Sequence, residues 1–258
     1  MKGEVIMENN NDIKDFFGNP FSIEYLKYCN ALIRQNVTAI SVACNLLDDY
    51  IKQNSKKFDT ELTGNIISHC RELMRAASVS EILASNEEDL IYVSTDVFIG
   101  EFVSGCRSAL GSSASVSISD KSGSFVKTNE TVLRYMLLGF LKNIVSGHQN
   151  ILNIVVGSVC RDDESVEIYI KTDAENTSEF DVGSAFGGLN YEKLAELLAE
   201  KIGVSYRIEK GSIAVTFKNK KDFADPVFQC RPYYPSDGIF SVYNIMLAGS
   251  PDCNGQVF

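Results

Sequence analysis

A long amphipathic pattern near the N-terminus is the feature that most constrains the fold of this 258-residue chain. Its apolar residues recur every three or four positions, so they share one face of a helix. The members of this seam are Cys29, Ile33, Val37, Ile40, Cys44, Leu47 and Ile51. After a polar break, a second seam follows with Leu62, Ile66, His69, Leu73 and Ala76. Two such helices with a short connection predict an antiparallel hairpin.

The hairpin by itself leaves apolar surface on both helices uncovered. Two copies can cover it by forming a four-helix bundle, so the seams favour a homodimer. A second arrangement stays open at this point, in which the hairpin packs on another domain of its own chain. His69 falls on the second seam, and this position predicts that its imidazole is buried.

Composition and charge restrict the class of protein. Hydrophobic residues make up 45% and charged residues 22%, which is typical of a globular protein. A net charge of -10 disfavours nucleic acids and anionic membranes as partners, because phosphates bind to basic surfaces. We find neither an apolar run of membrane-spanning length nor the apolar core of a signal peptide. Seven scattered cysteines without a CxxC pair predict no metal site and a reducing cytoplasm.

The second half of the chain combines strand and helix patterns. Alternating or β-rich segments predict strands at 115–119, 124–128, 151–160, 165–173, 204–209 and 212–218. Helical patterns cover 130–146 and 190–201, the second of which is ended by Gly203. The order is strand, strand, helix, hairpin, helix, hairpin. It predicts an α/β sandwich with the helices on one face of a mixed sheet.

We therefore predict an α+β fold in four segments. Residues 1–20 form a polar N-terminal segment, and residues 21–90 form the helical hairpin. Residues 91–222 form the sandwich. Residues 223–258 form a tail rich in aromatic and turn residues, which serves either as a strand-like cover on the sandwich or as a partner-binding extension.

A helical hairpin followed by this sandwich resembles the core of a two-component sensor histidine kinase. That core joins a dimerisation and phosphotransfer hairpin to an ATP-binding domain. The similar segments are NVTAISVACNLLDDY after the phosphoacceptor, LRYMLLGFLKNIVSGH at the N box, EIYIKTDAEN at the G1 box, and VGSAFGGLNYEKLAELLAEKIG at the G2 box. The resemblance covers residues 30–218 and implies the same two domains.

The hairpin departs from the family at the phosphoacceptor. The resemblance places Ala31 or Gln35 at that position, depending on the register, and neither side chain accepts a phosphoryl group on nitrogen as histidine does. The predicted first helix contains no histidine at all. The chain has only two, His69 and His148. Autophosphorylation at the family's usual position is therefore excluded.

The nucleotide-binding boxes survive as remnants. The matching residues are Asn143, Asp173, Gly187 and Gly188. In the N box Gly139 replaces the first asparagine, and a single amide is a poor magnesium site. In the G1 box Glu175 and Thr177 replace glycines that allow close backbone approach to a nucleotide. The resemblance thus implies no cofactor, or at most weak binding of Mg-ATP.

Three functional hypotheses follow. The first is a catalytically degenerate, histidine-kinase-like signalling protein without catalytic residues, a cytoplasmic homodimer that binds a response regulator or a histidine kinase. The second is an enzyme, a histidine phosphotransferase or atypical histidine kinase that uses His69. The third is an ATPase of the wider fold group, which the altered glycine boxes disfavour.

Overall fold

The computed structural model describes residues 20–54, 61–84, 90–146, 152–161, 165–173, 191–218 and 241–247. The chain divides into two compact units, Met1–Asn86 and Glu87–Phe258. None of the described helices combines the length and the apolar character that a membrane span requires.

The first unit is the predicted hairpin, which is confirmed. Its helices are α1 (Pro20–Asn54) and α2 (Glu61–Ala84), and they pack against each other. The α1 side of their interface includes Val37, Ser41 and Cys44, while Cys70 and Met74 belong to the α2 side. All five residues are buried. Small side chains at three of these positions let the two helices approach closely.

Polar contacts near the start of α1 fix how the two helices align. Asn30 donates from Nδ2 to the carbonyl oxygen of Ala77 at 3.1 Å and to Ser80 Oγ at 2.7 Å. Arg34 donates to Glu81 Oε2 at 2.6 Å and to Ser78 Oγ at 2.9 Å. Such charge-assisted bonds are directional, so they define the register of the antiparallel pair.

The structure divides the first predicted seam between two environments. Val37 and Cys44 are buried, whereas Ile33, Ile40 and Leu47 are 36%, 47% and 49% exposed. A single partner helix covers only part of a wide apolar face. The apolar face of α1 therefore extends beyond its contact with α2.

The second predicted seam was placed on the wrong face of α2. The buried positions include Cys70 and Met74, while Leu73 is 53% exposed. The prediction that His69 is buried is wrong, because 78% of its side chain is exposed.

The second unit is the predicted α/β sandwich, which is confirmed. Its strands are β1 (Ile91–Ser94), β2 (Ala114–Ile118), β3 (Phe125–Thr128), β4 (Leu152–Cys160), β5 (Val166–Thr172), β6 (Ser205–Glu209) and β7 (Ser212–Phe217). Its helices are α3 (Thr95–Leu110), a 3₁₀ turn (Gly111–Ser113), α4 (Glu130–Ser146), α5 (Tyr191–Ile202) and α6 (Val242–Leu247). The main sheet has the order β2-β4-β5-β7-β6, in which only the β2–β4 pair is parallel.

Local sequence signals explain several boundaries. Asn129 caps α4, because its Oδ1 accepts from the backbone N–H groups of Thr131 at 3.0 Å and Val132 at 3.2 Å. Gly203 ends α5 with a φ of 65°, and Gly211 turns the β6–β7 hairpin with a φ of 67°. Both angles lie in the left-handed region that glycine adopts without strain.

Strand alternation separates the two faces of the main sheet. Ile154, Val156, Ile168 and Ile170 are fully buried and belong to the core under the helices. The intervening residues Asn153 and Lys171 are exposed on the other face. Helices α3 to α5 therefore pack on one face of the sheet, and we call the face that carries Asn153 and Lys171 the open face.

Three elements were not predicted from the sequence. The strand β1 pairs with β3 in a separate two-stranded sheet, and α3 packs on β2 and β4. The third, α6, is the described part of the predicted tail, and it packs on α3 and α4. The expectation that the tail forms a strand-like cover is wrong for these residues, because they form a helix and are mostly buried.

Candidate functional site

The phosphoacceptor position of the hairpin lies on α1. Ala31 belongs to this helix, and its side chain lies outside the described residues. Gln35 is exposed on the same helix. Since the sequence of Pro20–Asn54 contains no histidine, no turn of α1 can offer an imidazole, whichever register applies.

His69 is the histidine of α2, and it faces solvent. Its Nδ1 lies 3.3 Å from Glu72 Oε2, one turn along the helix. In the tautomer that carries hydrogen on Nδ1, a carboxylate at this distance accepts a hydrogen bond from it, and this contact orients the ring. Glu72 follows His69 by three positions, so the helical period alone could have indicated this pair.

An exposed apolar stripe runs beside His69 on the hairpin. We define it as Ile33, Ile40, Leu47 and Leu73. On α1, Ile33 and Ile40 each lie four positions before a buried residue; Ile40, for example, precedes Cys44. On α2, Leu73 lies four positions before the buried residue Ala77. In two antiparallel helices, residues at the same sequence offset from an interface residue lie on the same side of the pair. The stripe therefore runs over both helices on one side of the hairpin.

The remnant of the N box lies on α4 in the helix layer. Asn143 is half-buried, and its Nδ2 has no hydrogen-bond partner among the described residues. Gly139, one turn earlier, is buried within the helix and supplies no side chain. The helix thus offers one amide group where the family pattern has two.

Asp173 lies on the solvent-facing side of the sheet. Its Oδ1 accepts from the backbone N–H of Asn153 at 2.9 Å, and its Oδ2 accepts from Asn153 Nδ2 at 2.6 Å. The inward position at the end of β5 belongs to Thr172, which pairs with the fully buried Ile154. Because side chains alternate along a strand, the offset of one residue moves the carboxylate to the opposite face.

The two described remnants of the nucleotide-binding boxes, Asn143 and Asp173, lie on different elements. Asn143 belongs to the helix layer and Asp173 to the open face, so the sheet lies between their side chains. Both oxygens of Asp173 already accept hydrogen bonds from Asn153. Gly187 and Gly188 lie outside the described residues, as do Glu175 and Thr177. Within the described ranges, no three His, Cys, Asp or Glu side chains group as metal ligands.

The open face carries a polar cluster that the sequence analysis missed. The phenol of Tyr169 donates to the carboxylate of Asp120 and lies 2.5 Å from Ser119 Oγ. The hydrogen bond from Tyr169 is the main cause that lowers the pKa of Asp120. The pKa of Tyr169 is raised mainly by burial and next by its hydrogen bond to Asp120. The ring of Tyr169 covers Gly157, where a Cβ would overlap it. The cluster therefore joins the end of β2 to β5 across Gly157 of β4.

Comparison with solved structures identifies the architecture. ShkA, solved at full length in complex with AMPPNP, aligns with a TM-score of 0.52 at 14% identity over 76% of this chain. The chain spans 45% of the length of that structure. No protein-family model matches the sequence, and neither does any curated protein.

Two other solved structures align with lower scores. The blue-light activated histidine kinase of Erythrobacter litoralis has a TM-score of 0.42 at 14% identity, over 62% of this chain and 59% of that one. The histidine kinase AdeS of Acinetobacter baumannii has a TM-score of 0.42 at 12% identity, over 71% of this chain and 95% of that one. The chain has the fold of a histidine kinase core, with a helical hairpin followed by an α/β sandwich of the ATP-binding type.

Proposed function

We propose that the chain is a degenerate, histidine-kinase-like signalling protein that acts by binding and does not autophosphorylate. The observation that carries this proposal is the helix α1, which has no histidine anywhere in Pro20–Asn54. The fold persists because packing requires apolar seams and not the imidazole. The expected setting is a two-component pathway in the cytoplasm, with a response regulator or a histidine kinase as the partner.

The exposed stripe on the hairpin supports a binding role. Four large apolar side chains on one side are unusual for a surface that stays in water. We expect a second copy of the chain to cover the stripe and complete a four-helix bundle. The outer surface of such a bundle is then free to bind the signalling partner.

The proposal predicts weak nucleotide binding. With Asn143 and Asp173 on different sides of the sheet, Mg-ATP should bind with a dissociation constant above roughly 1 mM, or about -4 kcal/mol. Isothermal titration calorimetry of the full chain measures this constant. Asp173→Asn should leave it unchanged, because Asp173 contacts Asn153 on the open face. A low micromolar constant would contradict the proposal and favour a working kinase.

The second candidate function is a histidine phosphotransferase that uses His69. One observation favours it: the imidazole is exposed, and Glu72 holds its Nδ1. In this reaction the phosphoryl group leaves the aspartate of a phosphorylated regulator and forms a bond to Nε2. The aspartate carboxylate is released, and Glu72 stabilises the charge on the ring.

Phosphoryl transfer separates the two candidates. We expect no acid-labile, base-stable label on the protein from radiolabelled ATP or from a phosphorylated response regulator. Mass spectrometry under alkaline handling locates any label. Label on His69 that is lost in His69→Gln, kept in His148→Gln and reduced in Glu72→Gln would establish the phosphotransferase and reject the binding-only function.

A further inference from the structure

Two cysteines lie in the interface between the helices of the hairpin. Cys44 of α1 and Cys70 of α2 are both buried in this contact, with 8% and 5% of their surface exposed. Both are thiols in the structure. Neither sulfur atom has a part in the proposed binding or in phosphoryl transfer to His69, so the pair is reactive chemistry that these functions leave unused.

The register of the hairpin places the two cysteines at the same level. Arg34 of α1 binds Glu81 of α2 at 2.6 Å, and this ion pair defines a common level near one end of the contact. Cys44 lies ten positions after Arg34, and Cys70 lies eleven positions before Glu81. Because each residue advances about 1.5 Å along its helix, the two cysteines differ in height by roughly 1.5 Å.

The neighbouring layer of the interface supports this register. Cys44 follows the buried residue Val37 by seven positions, and Cys70 precedes the buried residue Ala77 by seven. Seven residues make about two turns, so each pair of residues shares a face of its helix. Val37 therefore lies opposite Ala77 in one layer, and Cys44 lies opposite Cys70 two turns further along.

Small side chains bring the two backbones within reach of a covalent link. Ser41 and Ala77 are buried beside the cysteines, which favours close packing of the helices. Helix axes about 8–10 Å apart place facing Cα atoms roughly 3.5–5.5 Å apart, and farther when they are offset, because each Cα lies about 2.3 Å from its axis. A disulfide joins Cα atoms about 4.4–6.8 Å apart. The two ranges overlap, so the pair closes with little movement of either helix.

Access distinguishes this pair from two other described cysteines. Cys106 of α3 is fully buried, and burial raises the pKa of its thiol far above the ordinary value. Since the thiolate is the reactive form, Cys106 is inert. Cys160 at the end of β4 is exposed, but it belongs to the sandwich and not to the helix interface. Cys44 and Cys70 combine a small exposed area with a second thiol on the facing helix.

We propose that Cys44 and Cys70 form a redox-sensitive modification site, in which hydrogen peroxide closes an intramolecular disulfide that locks α1 and α2 in their present register. In a reducing cytoplasm the thiols are the resting state. Closure fixes the relative position of the two helices that carry the exposed stripe and His69. The site depends on the hairpin alone and not on the identity of a signalling partner.

The chemistry of closure is a two-electron oxidation. The thiolate of one cysteine attacks a peroxide oxygen, the O–O bond breaks, and a sulfenic acid forms while the other oxygen leaves and becomes water. The thiolate of the second cysteine then attacks the sulfenic sulfur, and the S–S bond forms as hydroxide leaves and takes up a proton. The two sulfurs lose two electrons in total, and the peroxide becomes two molecules of water. A dithiol reductant reverses the reaction by thiol–disulfide exchange.

The test treats the reduced full chain with hydrogen peroxide, alkylates the remaining thiols, and maps the peptides by mass spectrometry. We expect a peptide pair that joins Cys44 to Cys70, lighter than the two thiol peptides together by about 2 Da, which dithiothreitol separates. Cys44→Ala and Cys70→Ala should each abolish the link. Cys160→Ser is the matched control and should keep it. Because the disulfide closes a loop of about 25 residues, it should raise the midpoint of thermal unfolding of the hairpin, followed by circular dichroism, by at least about 5 °C.

Recovery of both cysteines as alkylated thiols after peroxide treatment of the wild type would overturn the proposal. So would a link between two chains on a non-reducing gel, because it would place the reactive partner on another copy. A link that forms only in urea, or one that lowers the midpoint of the hairpin, would show that the folded interface does not bring the sulfur atoms together. These readouts need no partner and no dimer, so they are separate from the test of the proposed function.

Discussion

In the proposed dimer, replacing Ile40 with glutamate is expected to yield a monomer that keeps the helical hairpin. Ile40 is 47% exposed in the single chain, so the substitution costs the hairpin itself little. In the proposed four-helix bundle the same side chain is buried in both copies. The loss of each buried isoleucine side chain then removes about 1.5–3 kcal/mol of hydrophobic stabilisation from the dimer. Each buried carboxylate adds a further penalty unless it is protonated.

Light scattering coupled to size-exclusion chromatography measures the outcome, and circular dichroism checks that the helices persist. Leu46→Glu is the matched control. Leu46 is 65% exposed and lies nine positions after Val37, on the side of α1 opposite the interface with α2. This control should remain dimeric. A wild-type protein that is monomeric at micromolar concentration, or a dimeric Ile40→Glu, would reject the bundle.

Replacing Phe140 with alanine is expected to destabilise the sandwich by about 3–5 kcal/mol. Phe140 is fully buried on α4, and its ring centroid lies 6.3 Å from that of Tyr191 on α5. Tyr191 in turn donates from its hydroxyl to the carbonyl oxygen of Met136 at 2.8 Å. Removing the Phe140 ring therefore leaves a cavity at the contact that joins α4 to α5.

Urea unfolding of the full chain, followed by tyrosine fluorescence, measures this loss as a shift of the midpoint at constant slope. Phe140→Leu keeps most of the volume and should cost no more than about 1.5 kcal/mol. Equal losses for the two variants would show that the site collapses around the cavity. That result would contradict the expectation that the volume of the Phe140 ring sets the stability of this contact.

Local periodicity in the sequence was sufficient to predict most elements of the architecture. The 3.6-residue period gave the hairpin and α4, and the period of two gave the strands from β2 to β7. Glycines at positions 203 and 211 marked boundaries because their backbone angles are local requirements. The order of these elements was enough to indicate the resemblance to a histidine kinase core. The absence of histidine from α1 was also a property of the sequence alone.

The faces and partners of these elements were less predictable. The seam positions of α1 gave no sign that Val37 would be buried and Ile40 exposed, because both fit the same helical pattern. The contact with α2 separates them. The exposure of His69 has the same cause, since α2 turns Cys70 and Met74, and not His69, towards α1. Similarly, α6 has no long pattern of its own, and it is a helix because the groove of α3 and α4 buries it.

Asp173 shows where sequence and tertiary structure each contribute. The alternation of Ile168 and Ile170 would have assigned the inward position to Thr172, so this part was available from the sequence. The pairing with Asn153 was not, because it depends on the register between β4 and β5. The sequence by itself thus determined the elements and the missing imidazole, since both depend on local chemistry. Only the tertiary structure decided which residues share a face, because long-range packing sets the register and the burial.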